Sequence, residues 1–198
     1  MNLSLLTPPG AEPVSLDEAK THLRIDEDCD CAGDDAYLQA LISAARQYCE
    51  CFQNRAYITQ TWEMSLERFT RVVEIPKGSL QAVDSVIYRD AMGAETELIE
   101  GTDYIYSSRG IHGRLTTPYD KTWPCFAPYP LDPVVIRFTC GYGDAEAVPA
   151  QVKQAVLLLV GHWYENRVPI ETAGNGKMAL EIEFAVKVLL WQDRIIPV

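Results

Sequence analysis

The fold is decided where the period of the sequence changes, in residues 38–66, which read LQALISAARQYCECFQNRAYITQTWEMSL. In the first part of this stretch, apolar residues recur at every third and fourth position, which predicts a surface helix over 35–54 with one buried face. After Ala56, apolar and polar residues alternate, which predicts a half-buried β-strand over 58–66. The chain therefore passes here from helix to sheet.

On the C-terminal side of this change, short β-branched and aromatic runs separated by Gly, Pro and Asp predict further strands. Together with the first strand they make six or seven, and residues 57–145 are interpreted as one antiparallel β-rich segment. The further strands are predicted at 72–75, 82–88, 96–99, 104–106, 114–116 and 134–139.

Helices are predicted on both sides of this β-rich segment. Ser15 and Glu18 have the spacing of a capping box, which predicts a helix over 16–24. Pro149 suits the first turn of a helix, and a last helix is predicted over 178–191.

The two C-terminal helices are apolar on most of their surface, which predicts a shared core or a subunit interface. The sequence thus predicts an α+β fold in which N- and C-terminal helices form a helical core. That core takes residues 1–56 and 146–198, and residues 57–145 form the inserted antiparallel β-rich subdomain.

The chain has 198 residues, with 17 Lys and Arg against 28 Asp and Glu, and a formal net charge of −11. A phosphate backbone or an anionic membrane surface would repel it, so neither DNA binding nor membrane attachment is expected as its main activity. The N-terminus lacks the charged and apolar regions of a signal peptide. The longest aliphatic run, 155–160, is far shorter than the roughly 20 residues of a membrane-spanning helix. We expect a soluble protein.

Two Cys-x-Cys pairs, Cys29 with Cys31 and Cys49 with Cys51, could be two halves of a zinc site. Structural zinc sites more often have two to four residues between paired ligands, and residues two apart on a helix point to different sides. We therefore expect free thiols, with Cys49 in the core and the first pair in an exposed acidic loop. No metal and no cofactor is predicted.

The sequence contains no nucleophile elbow, phosphate-binding Gly-rich loop, dinucleotide fingerprint or His-Glu-x-x-His pair. His162 and Glu165 share a helical face and could be half of a metal or acid–base site, but the other half is missing. A neutral histidine, bonded locally beside Trp163 and Tyr164, is the alternative that we favour. The sequence thus indicates a protein that is not an enzyme, with a small hydrolase of spatially assembled site as an alternative.

Residues 118–133 hold five of the twelve prolines together with four aromatic residues. Proline donates no hydrogen bond to a β-ladder, so this stretch is predicted to be a long ordered loop rather than a central strand. Its aromatic residues either bind a partner or fold back over the sheet, and the sequence favours neither alternative.

Short segments along the chain follow one another in an order that is typical of one protein family. They are 5–9 (LLTPP), 12–20 (EPVSLDEAK), 22–24 (HLR), 57–62 (YITQTW), 75–78 (IPKG), 86–90 (VIYRD), 119–124 (YDKTWP), 138–143 (FTCGYG), 148–149 (VP) and 161–167 (GHWYENR). In this order they resemble tailed-bacteriophage head-tail connector (adaptor) proteins, from Leu5 to about Leu190. The acidic segment from Cys29 to Asp35 is not part of the pattern.

The resemblance implies a non-catalytic virion subunit of a phage or prophage, forming a ring of about a dozen copies that joins the portal vertex to the tail. The implied partners are sister copies, the portal protein and a tail completion or tail-tube protein, with DNA passing through the lumen without specific binding. The implied locations are the bacterial host cytoplasm during assembly and the head-tail junction of the virion.

Interface candidates come from the proline-rich loop and the C-terminal helices. A peptide- or protein-binding module that uses the Trp123 loop is a further alternative to the connector role. The candidate interface residues are Trp123, Phe126, Tyr129, Trp163, Tyr164, Phe184 and Trp191.

Overall fold

Helices and antiparallel strands occupy separate stretches of the chain in the computed structural model, which describes residues 1–25, 32–166 and 176–196. These residues contain four α-helices and eight strands, so the predicted α+β class is confirmed. The strands belong to one compact unit, the β unit, and the helices to another, the helical unit. The β unit comprises Met1–Gly10 with Thr59–Tyr142, and the helical unit comprises Ala11–Ile58 with Gly143–Val198.

The helical unit contains the helices that the periodicity predicts, with their ends shifted by a few residues. Their bounds are α1 Leu16–Leu23, α2 Ala32–Gln53, α3 Ala150–Glu165 and α4 Gly176–Trp191. None of these helices, within the described parts of the chain, is long and apolar enough to cross a membrane.

Helix α1 begins at the predicted capping box. The Ser15 hydroxyl accepts a hydrogen bond from the Glu18 backbone N–H at 3.1 Å, and a Glu18 carboxylate oxygen accepts one from the Ser15 N–H at 2.7 Å. The second bond favours the charged carboxylate and holds the pKa of Glu18 below its ordinary value. Arg24, in the left-handed conformation, ends the helix.

Helix α2 packs its predicted apolar face into the core. Leu38, Ile42, Ala45 and Cys49 are fully buried at spacings of four, three and four. Burial raises the pKa of the Cys49 thiol to about 12, with the nearby Glu50 charge adding to the effect. Both observations agree with a structural thiol.

A buried ion network ties the segment before α1 to α2. The Arg46 guanidinium lies 2.7 Å from a carboxylate oxygen of Glu12 and 2.7 Å from one of Glu50. Ser43 also donates to Glu12, and the Tyr57 backbone N–H donates to Glu50. Burial disfavours the charge on Arg46, but the two carboxylates outweigh burial and raise the pKa of Arg46. All charges of the network therefore have partners.

The β unit has its eight strands in two sheets. Five form a sheet in the order β1-β2-β8-β4-β5, and three form a second sheet in the order β3-β7-β6, with every strand pair antiparallel. Their bounds are β1 Asn2–Thr7, β2 Gln60–Leu66, β3 Val72–Ile75, β4 Leu80–Arg89, β5 Glu95–Glu97, β6 Ile105–Ser107, β7 Gly113–Thr116 and β8 Val134–Cys140.

Each sheet buries one face, as alternating sequences require. In β8, Ile136 and Phe138 are fully buried, whereas Arg137 between them is exposed. Gly113 of β7 lies so close to β4 that a Cβ added there would be 2.5 Å from the Leu80 side chain. This close approach explains why glycine occupies a buried strand position.

The N-terminal strand β1 is a difference from the sequence prediction, which grouped residues 1–56 with the helices. Met1–Gly10 belongs to the β unit instead, because β1 pairs with β2 from Asn2 opposite Ser65 to Thr7 opposite Thr61. The partner strand lies more than 50 residues away in sequence, so no local signal marks the pairing. Most of β1 is exposed, which also weakens its hydrophobic pattern.

Candidate interaction surfaces

The outward side of α4 is an uncovered apolar stripe. Phe184, Val188 and Trp191 are 70%, 52% and 60% exposed, and their spacing of four and three residues places them on one helical face. Val186 and Leu190, on the opposite face, are buried. Two of the candidate residues, Phe184 and Trp191, thus lie on the exposed face of α4, where the Arg194 guanidinium lies 5.3 Å from the centroid of the Trp191 ring. We call Phe184, Val188 and Trp191 the α4 stripe.

The C-terminal end of α4 is fastened to the end of α2 by polar bonds. The Gln53 side-chain amide, fully buried, donates to the Leu190 carbonyl at 2.6 Å and accepts from the Tyr57 hydroxyl at 2.6 Å. The Asn54 amide donates to the Ile195 carbonyl at 2.9 Å. The bond from Gln53 satisfies a carbonyl in the last turn of α4 that the helix itself leaves without a partner, and the bond from Asn54 holds the segment that follows the helix. The α4 stripe is therefore presented by a helix whose end is fixed.

Trp163 and Tyr164, also candidates, are half-buried and contact α2. Trp163 meets Tyr48 edge to face, with ring centroids 6.3 Å apart, and the Tyr164 hydroxyl donates to a carboxylate oxygen of Asp34 at 2.8 Å. Tyr164 also lies beside Tyr37, at 6.2 Å between centroids. Both side chains thus pack within the helical unit, where they join α3 to α2.

In the β unit, the first candidates of the proline-rich loop fold back over the strands. The Trp123 ring stacks on Phe69 with 4.3 Å between centroids and 5° between planes, and its N–H donates to the Thr70 carbonyl at 2.7 Å. Phe126 packs on Tyr88 at 4.5 Å. For these two residues, the alternative of folding back is the one observed.

Further along the same loop, Tyr129 lies with its ring 5.3 Å from the Arg89 guanidinium and is 37% exposed. The most exposed aromatic residue of the loop is Tyr119, which is 94% exposed and was not among the candidates. Its signal in the sequence is the turn around it: the Lys121 N–H donates to the Pro118 carbonyl at 3.1 Å.

Among the described residues, no further catalytic group bonds to His162 or Glu165. The Asn166 side-chain amide lies 3.2 Å from Nδ1 of His162 and donates to the His162 carbonyl at 2.9 Å, so the histidine is bonded locally. Glu165 is exposed. Across the described residues, no group of three or more His, Cys, Asp or Glu could hold a metal ion.

Of the two cysteine pairs considered for a zinc site, the structure describes only Cys49 with Cys51. Cys49 is buried and Cys51 is exposed, so the two thiols of α2 point to different sides, and both are free. Cys29 and Cys31 lie outside the described residues.

Part of the chain matches a known protein family. Residues 13–103 match the model of phage gp6-like head-tail connector proteins. No curated protein matches the chain significantly.

Solved structures of virion necks contain chains with a similar fold. A chain from the neck of an empty GTA particle, computed with C6 symmetry, has a TM-score of 0.81 and 24% identity over 100% of this chain and 97% of that chain. A chain from the virion of a native gene transfer agent (GTA) particle has a TM-score of 0.78 and 24% identity with the same coverage. A chain from the neck of a native GTA particle, computed with C12 symmetry, has a TM-score of 0.73 and 25% identity, again with that coverage.

The family match and the likeness over the full length agree with the order of sequence motifs described above. The resemblance predicted from the sequence is therefore confirmed: residues 13–103 are similar to phage gp6-like head-tail connector proteins, and the fold is similar to that of a chain from the GTA particle neck.

Proposed function

We propose that this chain is a structural head-tail connector subunit of a tailed phage, a prophage or a related particle. About a dozen copies form a ring that joins the portal vertex to the tail and lets DNA pass. The protein is not an enzyme. It assembles in the bacterial host cytoplasm and resides at the head-tail junction of the virion.

The observation that carries this proposal is the likeness to a chain of the GTA particle neck over 100% of this chain and 97% of that one. The neck structures were computed with C6 and C12 symmetry, which supports a ring whose copy number is about a dozen. The family match over residues 13–103 points to the same role independently of the structures.

Within the helical unit, the α4 stripe is the assembly contact that the geometry favours. Apolar side chains that are more than half exposed on a fixed helix mark a protein interaction site, since monomeric proteins rarely leave large contiguous apolar patches uncovered. Of the candidate residues, Phe184 and Trp191 would contact a sister copy or the portal. Trp123, Phe126, Trp163 and Tyr164 would support the surfaces from within, and Tyr129 would lie at their edge.

DNA passage is compatible with the charge of the protein. A net charge of −11 per copy, multiplied around a ring, would repel phosphates and keep DNA from adhering to the lumen. Reversing the charge of lumen residues should therefore slow DNA passage and reduce infectivity. Unchanged infectivity in such variants would refute this part of the proposal.

Electron microscopy of the purified protein, alone and mixed with the portal protein and then a tail completion or tail-tube protein, tests the connector role directly. We expect rings on the portal vertex. The double substitution Phe184→Ser with Trp191→Ser should abolish ring or portal binding without unfolding the protein, because both side chains are exposed. Met92→Ser, at a 92% exposed turn residue of the β unit, is the matched control and should bind normally. A strict monomer that ignores the portal would contradict the proposed function.

A further inference from the structure

The outer face of the three-stranded sheet combines apolar and cationic side chains. One row across the sheet consists of Val72, Thr116 and Ile105, and the next row includes Arg114 opposite Glu74. Val72 and Ile105 are 42% and 44% exposed, although their sequence neighbours Val73 and Tyr104 are only 2% and 3% exposed. The face therefore leaves apolar side chains exposed at one end of the sheet.

Three cations of this face and of the groove beside it, Arg71, Arg114 and Lys121, form no ion pair within the described residues. Arg89 and Arg137, on the five-stranded sheet, are paired with Glu95 and Glu63, and Lys77 lies over the Trp62 ring. The other five basic side chains of the β unit are exposed and form no ion pair within the part of the chain that the structure describes. They are Arg68, Arg71, Arg109, Arg114 and Lys121.

An open groove of about 480 Å³ adjoins the same surface. Arg71, Lys121, Tyr119 and Trp123 line it, and the Thr116 hydroxyl donates to the Arg71 carbonyl at 3.1 Å, which fixes the groove to the sheet. The Tyr119 ring projects into solvent from the turn closed by Lys121. We call this groove, with the outer face of the three-stranded sheet, the cationic face.

The composition of the cationic face fits a protein partner better than DNA. Aromatic residues and arginine are enriched at protein interfaces, and the apolar Val72 and Ile105 would gain from burial there. DNA is held chiefly through its phosphates, which gain nothing from the apolar Val72 and Ile105 and are repelled by Glu74 and Asp120 on this surface.

The helical unit of the same chain has the complementary charge. It carries 17 acidic and nine basic residues, whereas the β unit carries 11 acidic and eight basic residues. A closed ring needs two different patches on every copy, one that binds the other on the neighbour. We propose that the cationic face of one copy binds the acidic helical unit of the next copy, an inference that rests on the proposed ring.

Sedimentation velocity of the purified full-length chain at several protein concentrations and at low and high salt tests this. We expect self-association that weakens as salt rises, because screening reduces attraction between exposed charges. Arg71→Glu with Arg114→Glu should weaken association by at least about tenfold. Tyr119→Ala should weaken it too, and a 94% exposed side chain is replaceable without unfolding.

The matched control is Arg89→Glu with Arg137→Glu, which changes the net charge equally but on the five-stranded sheet. This variant should associate like the wild type. Equal loss in both double variants, no loss in Arg71→Glu with Arg114→Glu, or a wild type that is monomeric at every concentration would each overturn the inference. The portal-binding experiment would still test the connector role separately.

A titration with a fluorescent duplex oligonucleotide tests whether the cationic face binds DNA instead of a protein. We expect no binding by the wild type at physiological salt. Duplex binding that disappears in Arg71→Glu with Arg114→Glu, without any self-association, would assign the cationic face to DNA and refute the inference.

Discussion

Replacing Arg46 by Met should destabilise the helical unit by about 3–5 kcal/mol, the usual cost of removing one partner from a buried ion pair. The guanidinium is only 7% exposed and is shared by Glu12 and Glu50, of which Glu50 is 8% exposed. Met fills similar space, so the loss comes from two carboxylates left close together without a cation. For a chain of this size that cost lowers Tm by roughly 6–20 °C, at about 2–4 °C per kcal/mol.

Urea and thermal denaturation followed by far-ultraviolet circular dichroism measures this, because the helices dominate the signal. Arg24→Met, at an exposed position, is the control and should change stability by less than about 0.5 kcal/mol. The triple variant Glu12→Gln, Arg46→Met, Glu50→Gln should recover part of the loss, because it leaves no unpaired charge in the core. If the free energy of unfolding of Arg46→Met stays within about 1 kcal/mol of that of the wild type, the ion network does not stabilise the helical unit as argued.

Three further predictions concern single side chains. Gln53→Ala should lower the free energy of unfolding by about 1–3 kcal/mol, because it leaves a buried hydroxyl and a carbonyl at the end of α4 unpaired. Amide hydrogen exchange in the last turn of α4 should become faster. Unchanged exchange would contradict the role of Gln53 in fastening α4 to α2. Gly113→Ala should cost about 1–3 kcal/mol in urea denaturation, because its Cβ would clash with Leu80. Iodoacetamide at pH 8 should modify the exposed Cys51 and spare Cys49, whose pKa of about 12 keeps it a buried thiol; peptide mass mapping that finds Cys49 modified first would contradict this.

Elements whose signal is local could be predicted from the sequence. The buried face of α2 follows from a 3.6-residue period, and the capping box of α1 from two residues three apart. The strands of the β unit follow from alternation and from turn residues, as at Asp90, whose carboxylate accepts from the Met92 and Ala94 N–H groups. In each case the determining residues lie within one or two turns of chain.

Features that depend on distant partners could not be predicted. Strand β1 is defined by pairing with β2, and the division into two sheets by which strands meet in space. For the surfaces, composition predicted Phe184 and Trp191 as interface residues, and both are exposed. The packing of Trp123 on Phe69 and of Trp163 on Tyr48 depends on tertiary contacts. The exposure of Tyr119 likewise depends on a turn whose orientation no local pattern fixes.

The sheet order β1-β2-β8-β4-β5 has a consequence for biosynthesis. The central strand β8 is the last to leave the ribosome, and β2 and β4 pair only with it on their inner sides. At about 5–20 residues per second, the 51 residues from Arg89 to Cys140 take roughly 3–10 s to translate. During this time the edges of β2 and β4 that pair with β8 have no partner strand. A nascent chain stalled in that interval would expose two apolar strands to neighbouring chains on the same polysome. Expression yield should therefore depend on how quickly translation reaches residue 140, and synonymous slow codons between β5 and β8 should increase aggregation.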